Sequence, residues 1–104
     1  MKKYTVYLSP IAEYKVLHLL DYIQDEFGDA SRHKFLIRFS EKIRTLESNP
    51  FICVETQIDG IYKCIVTRQT SFFYRIRNTE IEVITISDNR QNPSLIFKEI
   101  EKLS

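Results

Sequence analysis

No tryptophan occurs in this sequence, there are only two glycines and three prolines, and neither sign of charge prevails. So little glycine and proline excludes collagen-like repeats and argues against disorder and flexible linkers. Fifteen Lys and Arg against fourteen Asp and Glu leave a formal charge of +1. That balance excludes a protein whose main work is coating nucleic acid by bulk charge, though not a local basic cluster. No apolar run approaches the roughly 18 residues of a membrane span. The opening Met1-Lys2-Lys3-Tyr4-Thr5-Val6-Tyr7-Leu8 is too short and too polar, before Pro10, to be a signal peptide. The expectation is a soluble, cytoplasmic chain with no membrane partner.

Cysteine is equally sparse. Cys53 and Cys64 stand alone, without a CxxC pair and without a histidine near them. A metal site needs about four ligands at short spacings, so none is expected, and the two cysteines read as buried thiols rather than a disulfide. No glycine-rich phosphate loop is present, which removes nucleotide hydrolysis and leaves no cofactor to expect.

What is present suits one domain over residues 1–104, with 43% apolar and 28% charged residues. A chain this short buries roughly 60–70% of its unfolded surface, enough for one modest core. Residues 3–8, aromatic and β-branched, predict a strand. Ser9 can cap a helix and Pro10 suits its first position, where no intrahelical N–H partner is needed. Ala12, Val16, Leu19, Leu20, Ile23 and Phe27 then form one apolar stripe, and Gly28 stands where a left-handed cap is cheap. A second helix is expected from near Ser31, with Phe35, Leu36, Phe39, Ile43 and Leu46 as its stripe and Asn49-Pro50 as its stop. The short link predicts an antiparallel helical hairpin.

Strands are predicted at 61–66, 71–77 and 80–88, joined by turns at 67–70 and at Asn78-Thr79; residues 51–59 read as loop or edge strand. A short terminal helix after Asn92-Pro93 carries Ile96, Ile100 and Leu103 on one face and must dock, because alone it is marginal in water. The fold class is α+β: an N-terminal strand and a helical hairpin packed on a mostly antiparallel sheet, with a C-terminal meander and a short terminal helix.

Four stretches carry a family resemblance. They are Leu8-Ser9-Pro10 with Ala12 and Glu13; Phe35 through Leu46 leading to Asn49-Pro50; Phe73-Tyr74-Arg75-Ile76; and Ile86-Ser87-Asp88-Asn89-Arg90-Gln91-Asn92-Pro93. In this order they resemble the RelE/ParE superfamily of toxins from bacterial type II toxin–antitoxin systems, the ParE-like branch more than the RelE-like one. The resemblance implies a growth-inhibiting toxin, a cognate antitoxin whose flexible segment wraps it, and one of two targets. ParE-like toxins poison DNA gyrase. RelE-like toxins cut mRNA on the ribosome. An inert interaction module that has lost toxicity is a third reading.

The RelE-like nuclease set is implied only in part. Lys63 falls at one strand lysine and Arg90 at the arginine after the last strand. Ile65 stands where the next lysine would be and Ser71 near the family's arginine. Ile96 or Phe97 takes the place of the terminal tyrosine, without a hydroxyl. If the chain is an endonuclease, Lys63, Tyr74 and Arg90 are its catalytic candidates, since cleavage needs a proton acceptor and cations around the phosphate. A turn at 67–70 sets Lys63 opposite Tyr74, either as a phosphate-binding pair or as a lysine stem lying on a ring. A turn at 78–79 sets Arg77 opposite Glu80 and Arg75 opposite Glu82, either a solvated ladder or a surface for acidic partner groups. Arg90, with no partner demanded by pairing, is the leading single candidate for binding a partner or target, or else a tie to the last helix through Asp88. His18 and His33 read as packing or surface residues, Tyr4 and Tyr7 as packing, and Asp25, Glu26 and Asp29 as a solvated tip.

Overall fold

The computed structural model describes residues 3–103. Met1, Lys2 and Ser104, counted in the single-domain expectation, lie outside the described residues. The order is β1 (Thr5–Leu8), α1 (Pro10–Phe27), α2 (Asp29–Ser48), β2 (Val54–Glu55), β3 (Tyr62–Ile65), β4 (Thr70–Arg77), β5 (Glu80–Asp88) and α3 (Pro93–Leu103). The strands form one five-stranded sheet, β1-β5-β4-β3-β2, antiparallel except where β1 runs parallel to β5.

The first helix starts as its sequence predicts. The Ser9 side chain accepts from the Ala12 N–H at 3.1 Å, and its hydroxyl donates to the Ile84 carbonyl at 2.6 Å. One serine thus caps α1 and fastens it to the sheet. Gly28 alone links the hairpin, and α2 begins at Asp29 rather than near Ser31. Its φ of 92° and ψ of 175° place it in an extended positive-φ region open essentially to glycine, not in the left-handed helical cap expected. Phe27, expected in the apolar stripe, is 65% exposed; it follows the last buried turn of α1 and packs edge-on against Tyr22.

The hairpin lies on one sheet face. There Val16, Leu20, Phe35, Phe39 and Leu46 meet Cys64, Phe72, Tyr74, Ile81, Val83 and Ile86. The other face carries α3, whose Ile96 and Ile100 pack with Ile61, Phe73 and Ile84. Each large side chain so buried stabilises by about 1.5–3 kcal/mol relative to exposure. Leu103 is exposed, because it lies one turn beyond the sheet contact.

Two irregularities set the geometry of the second half. Between β3 and β4 the register is Lys63 to Phe73 and Tyr62 to Tyr74, one residue from the expected Lys63–Tyr74 pairing. The Thr67 hydroxyl accepts from the N–H groups of Gln69 and Thr70, which tightens the turn to three residues and draws Thr70 into β4. In the β4–β5 ladder Phe73 pairs with Thr85 and Tyr74 with Val83, so Ile84 is a bulged extra residue. At the other end Asn78 takes the expected positive φ, 56°, and Arg77 faces Glu80 across the two-residue turn.

Candidate functional site

β1 accompanies β5 only as far as Val83, so the outer edge of β5 is free of a strand from Ile84 onward. Lys15 of α1 comes past that edge. Its ammonium donates to the Thr85 hydroxyl at 3.0 Å and to both carboxylate oxygens of Glu99 on α3, at 2.7 and 2.9 Å. The lysine therefore joins the hairpin on one face to the terminal helix on the other.

Beyond this clasp a cleft of about 610 Å³ opens between the hairpin, the β3–β4 turn and the end of β5. Leu19, Ile23, Phe35 and Ile86 give it an apolar floor, with Tyr22 and Phe27 alongside. Its charged lining is Lys15, Lys34, Arg38 and Arg90 against the single carboxylate of Asp88. Lys15 is paired with Glu99 and Arg90 with Asp88; Lys34 and Arg38 make no ion pair among the described residues. The site is an amphipathic groove with surplus positive charge.

Asn89 and Asp88 hold Arg90 at its mouth. Asn89 accepts from the Ser71 hydroxyl at 2.6 Å, and its own N–H donates to the Gln69 carbonyl at 2.7 Å, pinning the end of β5 to the β3–β4 turn. Asp88 then receives the Arg90 backbone N–H at 2.8 Å and the guanidinium through Nε at 3.0 Å and a terminal nitrogen at 2.6 Å. The Arg90 side chain remains 79% exposed, so its free edge faces solvent. Asn92 completes the stretch by accepting from the Ser94 N–H at 3.0 Å, which caps α3.

Hydrogen bonds from the Arg90 side chain, then from its backbone, hold the Asp88 carboxyl at about 2, below its ordinary 3.8. Such a depressed acid favours the folded form above the ordinary value and loses that effect as pH falls through about 2. Both groups are solvated, so the stabilisation is small. A carboxyl-detected NMR titration should place the Asp88 midpoint near 2, and Arg90→Ala should return it toward 3.8.

The other sequence candidates lie elsewhere. Lys63 is on the α3 face, its ammonium 6.0 Å from the centroid of the Phe73 ring. Tyr74 is fully buried under the hairpin; its hydroxyl donates to the Pro50 carbonyl at 2.8 Å, and burial raises its pKa further out of reach of proton transfer at neutral pH. Lys63, Tyr74 and Arg90 therefore do not share a surface. Arg75 and Glu82 pair at 2.7 Å with side chains only 17% and 18% exposed, a shielded ion pair rather than a solvated rung. Arg77 is exposed at the hairpin end.

Sequence reasoning missed Lys34 and Arg38. Their spacing of four places them on one side of α2, next to Phe35 and Phe39, and that adjacency was the available signal.

The chain matches the family described as ParE toxin of type II toxin-antitoxin system, parDE, over residues 6–93. Among solved structures it is similar to a chromosomal ParDE toxin–antitoxin system from P. aeruginosa, with TM-score 0.71 and 15% identity, covering 85% of this chain and 98% of that one. It also resembles a YoeB/ParE toxin from Agrobacterium tumefaciens, with TM-score 0.59 and 14% identity over 82% of this chain and 98% of that one. A third similar structure is YafQ from E. coli, with TM-score 0.56 and 10% identity over 85% and 96% of the respective chains. These three likenesses concern the fold. No curated protein matches the chain.

Proposed function

This chain belongs to the ParE toxin family of type II toxin–antitoxin systems, and from that premise we propose that it inhibits DNA gyrase by binding and is neutralised by a cognate antitoxin. The observation that supports binding over RNA cleavage is the burial of Tyr74, whose hydroxyl is committed to the Pro50 carbonyl. A proton acceptor for an attacking hydroxyl must stand within hydrogen-bond reach of substrate. Tyr74 does not, and Lys63 and Arg90 lie apart from it and from each other.

The cleft is the antitoxin's seat. Its apolar floor suits the large side chains of an amphipathic segment, and its cationic lining suits that segment's carboxylates. Arg90 is the anchor at the mouth: Asp88 holds one edge of its guanidinium, and the other edge faces solvent, where it can take a partner's carboxylate. Arg77, exposed, and Arg75, which a partner must first release from Glu82, are the candidates for contact with the target.

Purified toxin in excess should block supercoiling by purified gyrase, and the antitoxin encoded beside it should restore the activity. Full supercoiling with no trapped cleaved complex would remove gyrase as the target. Message on the ribosome should stay intact under the same conditions.

A further inference from the structure

We propose that Cys53 and Cys64 form a thiol-oxidation site, in which a small disulfide such as oxidised glutathione converts them into an intramolecular cross-strand disulfide. The proposal is independent of the toxin's target, since the reaction needs no partner macromolecule.

The β2–β3 ladder places them together. Val54 pairs with Lys63 and Glu55 with Tyr62, so the next antiparallel step sets Cys53 opposite Cys64. Residues opposed in such a ladder have Cα atoms about 4.5–5.5 Å apart, inside the range that a disulfide spans without backbone movement. The side chains confirm the placement. Cys64 is a core residue with Cys53 packed against the same cluster, and the Cys53 thiol borders both the Cys64 thiol and the Tyr74 hydroxyl. Both cysteines are free thiols.

Their environments differ, and this fixes the order of events. Cys53 is half-buried, whereas Cys64 is buried. Both line a shallow pocket of about 190 Å³ bordered by Lys42 of α2, whose ammonium draws in a carboxylate of glutathione. Burial first, and the Cys53 thiol second, push the Cys64 thiol up to about 12. Cys53 is therefore the first to react. It loses its proton to water, and its sulfur attacks oxidised glutathione, forming a Cys53–glutathione bond and expelling one glutathione thiolate. Cys64 then gives up its proton and attacks the Cys53 sulfur, closing the internal disulfide and expelling the second glutathione thiolate. The two protein thiols are oxidised and one glutathione disulfide is reduced to two thiols. Because Cys64 is buried, the second step is the slower one and the mixed disulfide accumulates before the ring closes.

The consequence falls on the weakest part of the sheet. β2 has two residues, both exposed, and forms the sheet's edge. A bond from Cys53 to Cys64 fastens that edge to β3 and closes the connecting loop, which constrains the unfolded chain and raises the melting midpoint.

The test uses the reduced, full-length protein with an excess of oxidised glutathione, followed by acid quench, intact mass and peptide mapping. The wild type should gain one glutathionyl group, then lose it and finish two hydrogens lighter than the reduced chain. It should then carry one peptide linking Cys53 to Cys64 within a single chain, with no disulfide between chains, and melt about 5 °C or more above the reduced form. Cys64→Ser should stop at the single glutathionyl adduct, with Cys64→Ala as the replacement if the serine variant does not fold. Cys53→Ser should stay unmodified. A folded wild type whose thiols remain unmodified, a disulfide formed only between two chains, or a Cys64 variant that takes no glutathione would each overturn the proposal.

Discussion

Replacing Phe72 with alanine is expected to lower the unfolding free energy by about 3–5 kcal/mol, out of the roughly 5–15 kcal/mol that holds a domain of this size. Phe72 is fully buried in the middle of β4, the central strand of the sheet. Its ring meets Phe39 of α2 edge-on at 5.7 Å and Tyr74 at 5.9 Å, and its ladder neighbours are Cys64 and Ile86. Alanine would remove the Phe39 contact from the hairpin–sheet interface and leave a cavity that neighbouring strands, fixed by their hydrogen bonds, cannot close. Urea unfolding followed by circular dichroism should show a midpoint lower by about 1–3 M. Phe73→Ala separates the two faces. Phe73 packs only in the smaller cluster under α3, so hydrogen exchange in that variant should rise first in α3, with the hairpin protected. Equal loss of protection in both would show that the two clusters unfold as one.

The elements that build these two faces were largely legible in the sequence, but the docking of α3 opposite the hairpin was not. The stripes of the two helices, the Ser9-Pro10 start and the strand runs each follow from periods set by backbone geometry, and those periods need no tertiary information. The Arg75–Glu82 and Arg77–Glu80 pairings followed from Asn78, whose side chain tolerates the positive φ that a two-residue turn demands. Register at the other turn did not follow. A hydroxyl bonding to two backbone N–H groups shortened it by one residue, and that one residue moved Lys63 from Tyr74 to Phe73. Because side chains alternate with period two, the slip placed Lys63 and Tyr74 on opposite faces and dissolved the proposed catalytic pair. The bulge at Ile84 was likewise invisible, since the Ile84 carbonyl finds its partner, the Ser9 hydroxyl, across a long separation in the chain.

The candidate site was legible only at Arg90. Its place after the last strand and the carboxylate two residues before it were both apparent, and the Asp88 partnership holds. The rest of the cleft was not, because Lys34 and Arg38 read in one dimension as the solvated side of a helix. What makes them part of a site is their position opposite the end of β5, and only the folded chain supplies it.

Lys34→Glu together with Arg38→Glu should therefore weaken antitoxin binding by about 100-fold or more at low salt. Both cations line the cleft without an ion pair among the described residues, so no internal partner is lost when they are reversed. The substitutions remove two attractions for an acidic segment and add two repulsions, over an apolar floor where the local dielectric is below that of water. Fold stability should change little, since both side chains are exposed. Calorimetric titration with the antitoxin should also show a shallower salt dependence for the variant, because fewer screened attractions remain. Lys98→Glu with Lys102→Glu, on the exposed side of α3, changes the net charge by the same amount away from the cleft. That pair should leave affinity within about threefold of wild type if the effect is local to the groove. A larger loss from the α3 pair than from the α2 pair would move the antitoxin's seat from the cleft to the terminal helix. The toxin would then be held through the face that carries Lys63, and Arg90 would stand outside the contact.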